Sequence, residues 1–417
     1  MRVAYYSPLP PERSGIADYS ALLLSELEKQ KRFDVRVVKR GTRKPPRGTD
    51  VSLYHVGNNP DVHDWIVEAL EERRGVVVLH EFVLHHLIGG LTLGRGDKQG
   101  YLDAMQREGG VVGRMLGHAV VDGFLPPLWE SNAHEFPLAG TVLDRADGVI
   151  VHSQYVEGLV RAAGYGGPVW RVPFAARPDP PRGADDLFPG RAPVIGCIGN
   201  LNPAKRIPQL LDAFARLRET HPQALLVLAG APSAALDVEA EARGHGLGLG
   251  EDVLLRGYVP EDELWSLMAA CDVCVNLRWP TMGETSAAAI QVLTLGKPLV
   301  VSDVGWFSEL PDEVAIKIPV DQLEVDLLAA ALKRLADDDE LRAGMSAAAL
   351  DYVRREHSLE RAADLYARAL EDAAGRDAVI DAVLEEVGQA AAEVQLESAG
   401  EELSRVGALI RETRLGG

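Results

Sequence analysis

The sequence has little of what disulfide-stabilised, membrane-spanning or nucleic-acid-binding proteins need. Its 417 residues include only three cysteines, and so small an odd number is no disulfide framework and suits a reducing compartment. No stretch approaches the ~20 consecutive apolar residues of a transmembrane helix. Positive charge is also scarce, because 43 Lys and Arg stand against 62 Asp and Glu. The resulting net charge of −19 argues against broad contact with nucleic acid or an anionic membrane.

The start of the chain and the cysteine spacing exclude two further features. Residues 1–6 form a short apolar run that Ser7-Pro8 interrupts at once, so we expect no signal peptide. Cys271 and Cys274 have the spacing of half a zinc knuckle, but no second pair exists. We interpret them as buried thiols. These features predict a cytoplasmic protein, at most peripheral to a membrane.

Short apolar runs alternate with helical patterns in two series. Unbroken β-branched runs are typical of parallel strands that are covered on both faces. The first series predicts strands at Arg2–Tyr6, Val35–Val38, Val51–Tyr54, Val76–Leu79 and Gly148–Val151. The second predicts strands at Val194–Ile198, Ala224–Ala229, Val253–Leu255, Val273–Asn276, Pro298–Val301 and Ala315–Ile318. Two such series predict an α/β protein with two doubly wound, Rossmann-like domains whose strand ends face a central cleft.

Composition gives the expected domain boundaries. A stretch rich in Pro, Gly and Asp separates the two series, so we predict domains at 1–175 and 194–355 with a linker at 176–193. Residues 356–417 read as a helical C-terminal extension. Its heptad-like apolar positions are Ile380, Val383, Val387, Ala391, Val394, Leu403, Val406 and Ile410. Helices packed on the body explain this pattern, and a dimerisation arm that forms a homodimer is the second interpretation.

Three loops follow predicted strands and carry residues suited to an anionic ligand. The first contains Gly15, which lets the backbone approach a ligand at the start of a helix. The second contains Lys205 and Arg206 just before a helix, where cations oppose the helix dipole unless an anion binds there. A solvated surface pair is the alternative. The third contains Glu284, Thr285 and Ser286 at another helix start, where simple helix capping is the alternative.

The second and third loops resemble those of the retaining glycosyltransferases of the two-Rossmann fold called GT-B, specifically its family 4. The similarity covers residues 1–368 and is strongest in Gly-Asn-Leu-x-x-x-Lys-Arg from Gly199, in Gly257-Tyr258-Val259, and in the block from Gly283 to Gly305. The resemblance implies that Lys205 and Arg206 grip the diphosphate of a nucleotide-sugar and that Tyr258 and Val259 border its base. It also implies that amides at Thr285 and Ser286 receive a phosphate while Glu284 approaches the sugar.

The sequence departs from the family pattern at two sites. The family has an arginine where Asn200 stands, which leaves one cation fewer for the phosphates. It also has two glutamates eight positions apart, one for the sugar and one for the ribose. In this sequence Gln291 stands at the second position. Gly283 stands at the first, and Glu284 follows it by one residue. An amide hydrogen-bonds a ribose hydroxyl more weakly than a carboxylate.

Histidines mark the predicted acceptor side of the N-terminal half. His80 ends a predicted strand and matches a family histidine near the reacting sugar. His55, Asn58 and Asn59 follow the neighbouring strand, and His85 lies five residues beyond His80. We take these four as acceptor-side candidates. We do not expect the histidines to form a metal site, because His80 lies at a strand end whereas His85 is expected on a helix.

The resemblance implies a retaining glycosyltransferase that moves a sugar from a nucleotide-sugar to a hydroxyl of a glycan, a lipid-linked or a small-molecule acceptor. We expect His80, Lys205, Arg206 and Glu284 to act in catalysis, with no metal or other cofactor and no nucleic-acid partner. The alternatives are a sugar phosphorylase or a nucleotide-sugar epimerase on the same scaffold, and a non-catalytic nucleotide-binding subunit.

Overall fold

The computed structural model describes residues 1–12, 14–181 and 187–375. The chain divides into two compact units. The first contains residues 1–172 and the segment from residue 362 onward, and the second contains residues 173–361. The chain therefore returns to the first unit after it has completed the second. The heptad-like positions from Ile380 to Ile410, and with them the predicted dimerisation arm, lie outside the described residues.

The first unit is built on a six-stranded parallel sheet. Its order is β2-β1-β3-β4-β5-β6, and the register aligns Val3 with both Val35 and Val51. The strands are β1 (Arg2–Tyr6), β2 (Asp34–Val37), β3 (Val51–Val56), β4 (Gly75–Leu79), β5 (Ala146–Val151) and β6 (Val169–Arg171). Every residue of β3 and β4 is buried, because helices cover both faces of the sheet as the β-branched runs predict.

Helices connect the strands of the first unit. They are α1 (Gly15–Lys29), α2 (Pro60–Glu72), α3 (His85–Leu91), α4 (Lys98–Val121), α5 (Leu128–Ser131), α6 (Gly140–Leu143) and α7 (Gln154–Ala162). Side-chain oxygens of Ser14, Asn59 and Ser153 cap α1, α2 and α7 by accepting from backbone amides, which satisfies donors that a helix start leaves open. Residues 359–375 form a further helix, which we call α14, and most of it belongs to this unit.

The second unit contains a second six-stranded parallel sheet. Its order is β12-β11-β10-β7-β8-β9. The strands are β7 (Val194–Ile198), β8 (Leu225–Ala229), β9 (Val253–Gly257), β10 (Val273–Asn276), β11 (Leu299–Ser302) and β12 (Ala315–Ile318). The helices are α8 (Ile207–Arg218), α9 (Val238–Gly244), α10 (Glu261–Ala269), α11 (Ala287–Thr294), α12 (Glu324–Asp337) and α13 (Asp339–Glu356). Separate apolar clusters cover the two faces, one with Trp265 and one with Phe214. The α/β fold class predicted from the sequence is confirmed.

The loops after β7 and β8 touch backbone to backbone. Gly199 donates to Ala229 O at 2.9 Å, and Gly230 donates to Gly257 O at 2.8 Å. Gly230 has a φ of +153°, and a Cβ there would lie 2.1 Å from Gly199 O. Glycine is therefore required, since any side chain would separate the loop that carries Lys205 from its neighbour. This packing fixes the course of the loop that begins at Gly199.

Replacing Gly230 with alanine should destabilise the second unit. We expect a loss of about 1–3 kcal/mol in the free energy of unfolding, because the new Cβ must displace backbone atoms. Urea denaturation provides the measurement. Gly250→Ala is the matched control, because Gly250 also has a positive φ of +83° but a Cβ added there would meet no atom within 4 Å. Equal losses in the two variants would show that backbone conformation alone, and not the contact with Gly199, explains the glycine.

Candidate functional site

Lys205 is buried at the carboxyl edge of the second sheet. It ends a short 3-10 turn, Pro203–Lys205, directly after β7, and only 4% of the residue is exposed. Its Nζ donates to Ile198 O at 2.8 Å and to Asn276 Oδ1 at 3.2 Å. The pKa of Lys205 is lowered to about 8, chiefly by burial and also by the charge of Arg278, while Cys197 and Glu284 act in the opposite direction. The ammonium group is thus held in place with little water around it.

Asn276 connects this lysine to the start of α11. While its Oδ1 accepts from Lys205, its Nδ2 donates to Ser286 Oγ at 3.0 Å. Ser286 in turn caps α11, because its Oγ accepts from Ala289 N at 3.3 Å. Thr285 Oγ1 is buried and has no hydrogen-bond partner among the described residues. A cation, an open hydroxyl and a helix N-terminus therefore meet at one edge, which is a combination suited to an anion.

Glu284 is held by its own loop and by an arginine. Its Oε2 accepts from Met282 N at 2.8 Å and from Thr281 Oγ1 at 3.2 Å. Its Oε1 lies 2.9 Å from Arg278 Nε, and the two side chains are 20% and 12% exposed. Both carboxylate oxygens are thus engaged within the loop that follows β10. Glu284 therefore organises this loop.

Arg206 lies beside Lys205 in sequence but forms a different interaction. It adopts a left-handed conformation with a φ of +53° and is the N-cap residue of α8. Its Nε donates to Glu324 Oε1 at 2.5 Å, and its Nη2 donates to Glu324 Oε2. Glu324 is only 2% exposed. The two charges compensate each other in a buried, bidentate ion pair. This pair uses Nε and Nη2 of the guanidinium.

The other predicted donor-side residues are spread around this edge and beyond it. Asn200 is exposed, Gln291 lies half-buried within α11, and Val259 is buried while Tyr258 is 66% exposed. Gly15 is the first residue of α1 in the first unit, and a Cβ added to it would meet no atom within 4 Å. The structure therefore brings together Lys205, Glu284, Thr285 and Ser286 in the second unit.

The first unit has a buried cluster of histidines at the ends of β3, β4 and β5. His55 Nδ1 and His80 Nε2 share a hydrogen bond of 3.0 Å, so one ring donates and the other accepts. The ring centroids of His80 and His152 lie 5.1 Å apart. Sequence reasoning did not identify His152. Tyr19 packs edge-on against His80 at 5.4 Å. Burial, followed by the neighbouring histidines, holds the pKa values of His55 and His80 well below their usual range. Both rings are therefore neutral at pH 7.

The remaining acceptor-side candidates have structural partners. Both ring nitrogens of His85 are engaged, Nδ1 with Phe136 O at 2.7 Å and Nε2 with Tyr101 Oη at 2.9 Å. Asn58 Oδ1 accepts from Leu87 N at 3.1 Å, and Asn59 Oδ1 accepts from Asp61 N at 3.0 Å. These bonds shape the turns after β3 and β4. Within the described parts of the chain, no group of three or more His, Cys, Asp or Glu side chains is arranged to hold a metal ion.

Sequence reasoning assigned no role to Asn276 or Arg278. A signal for both existed, because polar residues end the apolar strand β10 and the carboxyl ends of parallel strands carry ligand-binding groups. The interaction of Arg206 with Glu324 had no such signal, since 118 residues separate the two partners.

Known proteins are similar to this chain chiefly in the second unit. The model of the family described as Glycosyl transferases group 1 matches residues 184–351. A D-inositol 3-phosphate glycosyltransferase from Corynebacterium efficiens is 30% identical over 171 residues, which cover 40% of this chain and 40% of that protein. The alignment thus spans well under two thirds of that relative's length.

Two solved structures are similar over most of the chain. Sucrose-phosphate synthase (tll1590) from Thermosynechococcus elongatus has 17% identity and a TM-score of 0.63, with 89% of this chain and 98% of that chain covered. Anabaena Alr3699/HepE, solved in complex with UDP and glucose, has 14% identity and a TM-score of 0.59, with 89% and 100% covered.

The two parallel six-stranded sheets and these neighbours define a two-domain protein of the GT-B fold. Within it, residues 184–351 match the model of the glycosyl transferases group 1 family. The resemblance noted in the sequence is confirmed to this extent. Among the described residues, no helix combines the length and the apolar character required to cross a membrane.

The buried histidines should make the first unit sensitive to acid. The pKa of His63 is lowered to about 4, chiefly by burial. Unfolding restores an ordinary pKa near 6.5, so the unfolded state binds more protons between these values. Stability should therefore be full above pH 6.5 and should fall by about 1.4 kcal/mol per pH unit for each such histidine as the pH drops towards 4.

Urea unfolding of the His63→Gln variant between pH 7 and 4.5 measures this effect. The variant should lose stability with falling pH less steeply than the wild type, by about 1.4 kcal/mol per pH unit. His118→Gln is the matched control, because His118 is an exposed histidine on α4. Parallel slopes for the wild type and the His63 variant would contradict the burial of a neutral ring.

The lowered pKa of Lys205 predicts proton uptake when a diphosphate binds. An anion favours the charged lysine, so binding should take up almost no proton at pH 6.5 and nearly one per site at pH 9. Affinity should weaken over the same range, approaching about tenfold per pH unit above 8. Calorimetry of UDP and GDP in buffers of different ionisation enthalpy counts the protons. The Lys205→Met variant should show no uptake, and persistent uptake in that variant would assign the titration to another group.

Proposed function

We propose that this protein transfers a sugar from a nucleotide-sugar to an acceptor hydroxyl with retention of the anomeric configuration, as in family 4 of the GT-B glycosyltransferases. The observation that carries the proposal is the network of Lys205, Asn276 and Ser286 at the carboxyl edge of the second sheet. It lies within the segment that matches the group 1 family. The complex of Alr3699/HepE with UDP and glucose supports a nucleotide-sugar as the donor.

The chemistry follows from the charges at this edge. When the bond between sugar and diphosphate breaks, negative charge develops on the leaving diphosphate. Lys205 and the N-terminus of α11 stabilise that charge without needing to reorganise, because hydrogen bonds already fix Lys205 Nζ and the Ser286 cap. Such stabilisation needs no metal ion. We propose, as the family resemblance implies, that the acceptor attacks from the same face as the leaving diphosphate, which also accepts the proton of the acceptor hydroxyl.

We propose separate roles for the remaining candidate residues of the two units. We propose that Glu284, fixed by Arg278, contacts sugar hydroxyls and that Gln291 and Tyr258 lie near the nucleoside. His80, supported by His55, is the proposed polar group on the sugar side in the first unit. We propose a glycan, a lipid-linked molecule or a small molecule as the acceptor. We place the reaction in the cytoplasm, where free thiols such as its three buried cysteines stay reduced.

The test is transfer itself. The wild type, mixed with UDP- and GDP-sugars and a panel of acceptors, should release a nucleoside diphosphate and form a glycoside whose anomeric configuration, read by NMR, equals that of the donor. Activity should survive EDTA. The Lys205→Met variant should be slower by about tenfold to a hundredfold, since a buried charge-assisted contact is lost. Lys333→Met, on the exposed face of α12, is the matched control and should retain wild-type rates.

Three outcomes would contradict the proposal. A product of inverted configuration would exclude retention. Loss of turnover with EDTA that a divalent cation restores would show that a metal, and not Lys205, stabilises the leaving group. Wild-type transfer by the Lys205→Met variant with an unchanged unfolding midpoint would move the diphosphate site elsewhere.

A further inference from the structure

Arg278 presents a guanidinium group that is only partly used by the protein. It lies two residues after the end of β10, and its side chain is 12% exposed. Its Nε faces Glu284 Oε1 at 2.9 Å, whereas its two terminal nitrogens form no hydrogen bond to any described residue. A guanidinium with so little exposure gains when a ligand accepts hydrogen bonds from its terminal nitrogens. The Nη groups of Arg278 are therefore available to an acceptor that approaches from solvent.

Arg206 shows the opposite situation. Both carboxylate oxygens of the buried Glu324 already bind its Nε and Nη2. Moving Arg206 to a ligand would leave Glu324 as an unpaired charge at 2% exposure, which is strongly unfavourable. The guanidinium of Arg206 is thus held by Glu324 and is not available to a ligand.

Arg278 lies close to the proposed phosphate contacts. Strands β7 and β10 are neighbours in the sheet, with Ile195 opposite Val273, so the loops that follow them share one edge. Trp279 N donates to Ala204 O at 2.8 Å and joins these two loops directly. Arg278 is also near enough to lower the pKa of both Lys205 and Cys197 through its charge. Two cations therefore lie together at the strand ends.

A second group at this edge also lacks a partner within the described chain. Thr285 is 8% exposed, and its Oγ1 is buried without a hydrogen-bond partner among those residues. It stands between Glu284, which binds Arg278, and Ser286, which caps α11. A phosphate oxygen would satisfy the Thr285 hydroxyl and the Arg278 terminal nitrogens, and it would also face the helix start.

We infer that Arg278, together with Lys205, binds the diphosphate of the nucleotide-sugar, and that Arg206 does not. The family pattern has an arginine after Gly199, where this chain has Asn200. Arg278, just beyond the end of the neighbouring strand β10, supplies the positive charge that is missing at that position. Glu284 acts as its positioning residue, because its carboxylate forms an ion pair with Arg278 Nε at 2.9 Å. The inference rests on the proposed function for the identity of the ligand.

Calorimetry on the full-length protein with UDP, GDP, ADP and inorganic pyrophosphate tests this assignment. The Arg278→Gln variant should bind the diphosphate preferred by the wild type about tenfold to a hundredfold more weakly. Arg278→Lys should recover part of the loss, since it keeps the charge but not the planar pair of donors. The matched variant is Arg206→Gln combined with Glu324→Gln, which removes the other arginine without leaving a buried charge. It should bind within about threefold of the wild type.

The outcomes separate this inference from the proposed function. If the wild type binds none of the four probes, the proposed function fails. If the wild type binds but Arg278→Gln binds equally well, with unchanged urea unfolding, the assignment of Arg278 is overturned. A tenfold or greater loss in the Arg206/Glu324 double variant overturns the exclusion of Arg206. Should Arg278→Gln lose stability, the Arg278→Gln/Glu284→Gln double variant replaces it, because neither charge is then left unpaired, and it should show the same weakened binding.

Discussion

The candidate site depends on keeping one lysine charged where water is scarce. Lys205 is 4% exposed, and its Nζ is bound by the carbonyl of Ile198 and the amide of Asn276. These two contacts offset only part of the cost of removing an ammonium group from water, which explains the lowered pKa. The contacts also tie β7 to β10, and Asn276 carries the connection onward to Ser286 and α11. The sheet edge is organised around a charge that the protein alone stabilises incompletely.

The two units bury polar side chains in opposite ways. In the second, charged side chains are paired or left with open donors, as the contrast between Arg206 and Arg278 shows. In the first, the histidines remain neutral and pack against tyrosines. The ring centroid of His55 lies 4.9 Å from that of Tyr5 and 6.2 Å from that of Tyr366. A neutral cluster tolerates burial at low cost and keeps fixed ring orientations. An incompletely satisfied cation instead favours binding an anion.

The sequence predicted the sheets well because buried parallel strands leave a local signature. β1, β7, β10 and β12 have the predicted bounds, since runs such as Val194–Ile198 are apolar throughout. It did not predict β6, which is only three residues long and half exposed, so its apolar content is too small to stand out. The loops with Lys205 and Glu284 were found by their position after strands. The partners of these residues were not, because Arg206 and Glu324 meet only after the fold is complete, and the same holds for His80 and His152.

The return of the chain to the first unit through α14 constrains the order in which the two units can be completed during synthesis. The hydroxyl of Tyr19 donates to the hydroxyl of Tyr366 across 347 residues of sequence, and both belong to that unit. A ribosome must therefore finish the whole of residues 173–361 before the histidine cluster can acquire its last aromatic neighbour. Until then the emerging first unit exposes apolar and polar surface that α14 later covers, and the second unit, whose segments are contiguous, can complete its core first. Residues 1–172 are thus made before the second unit and completed after it.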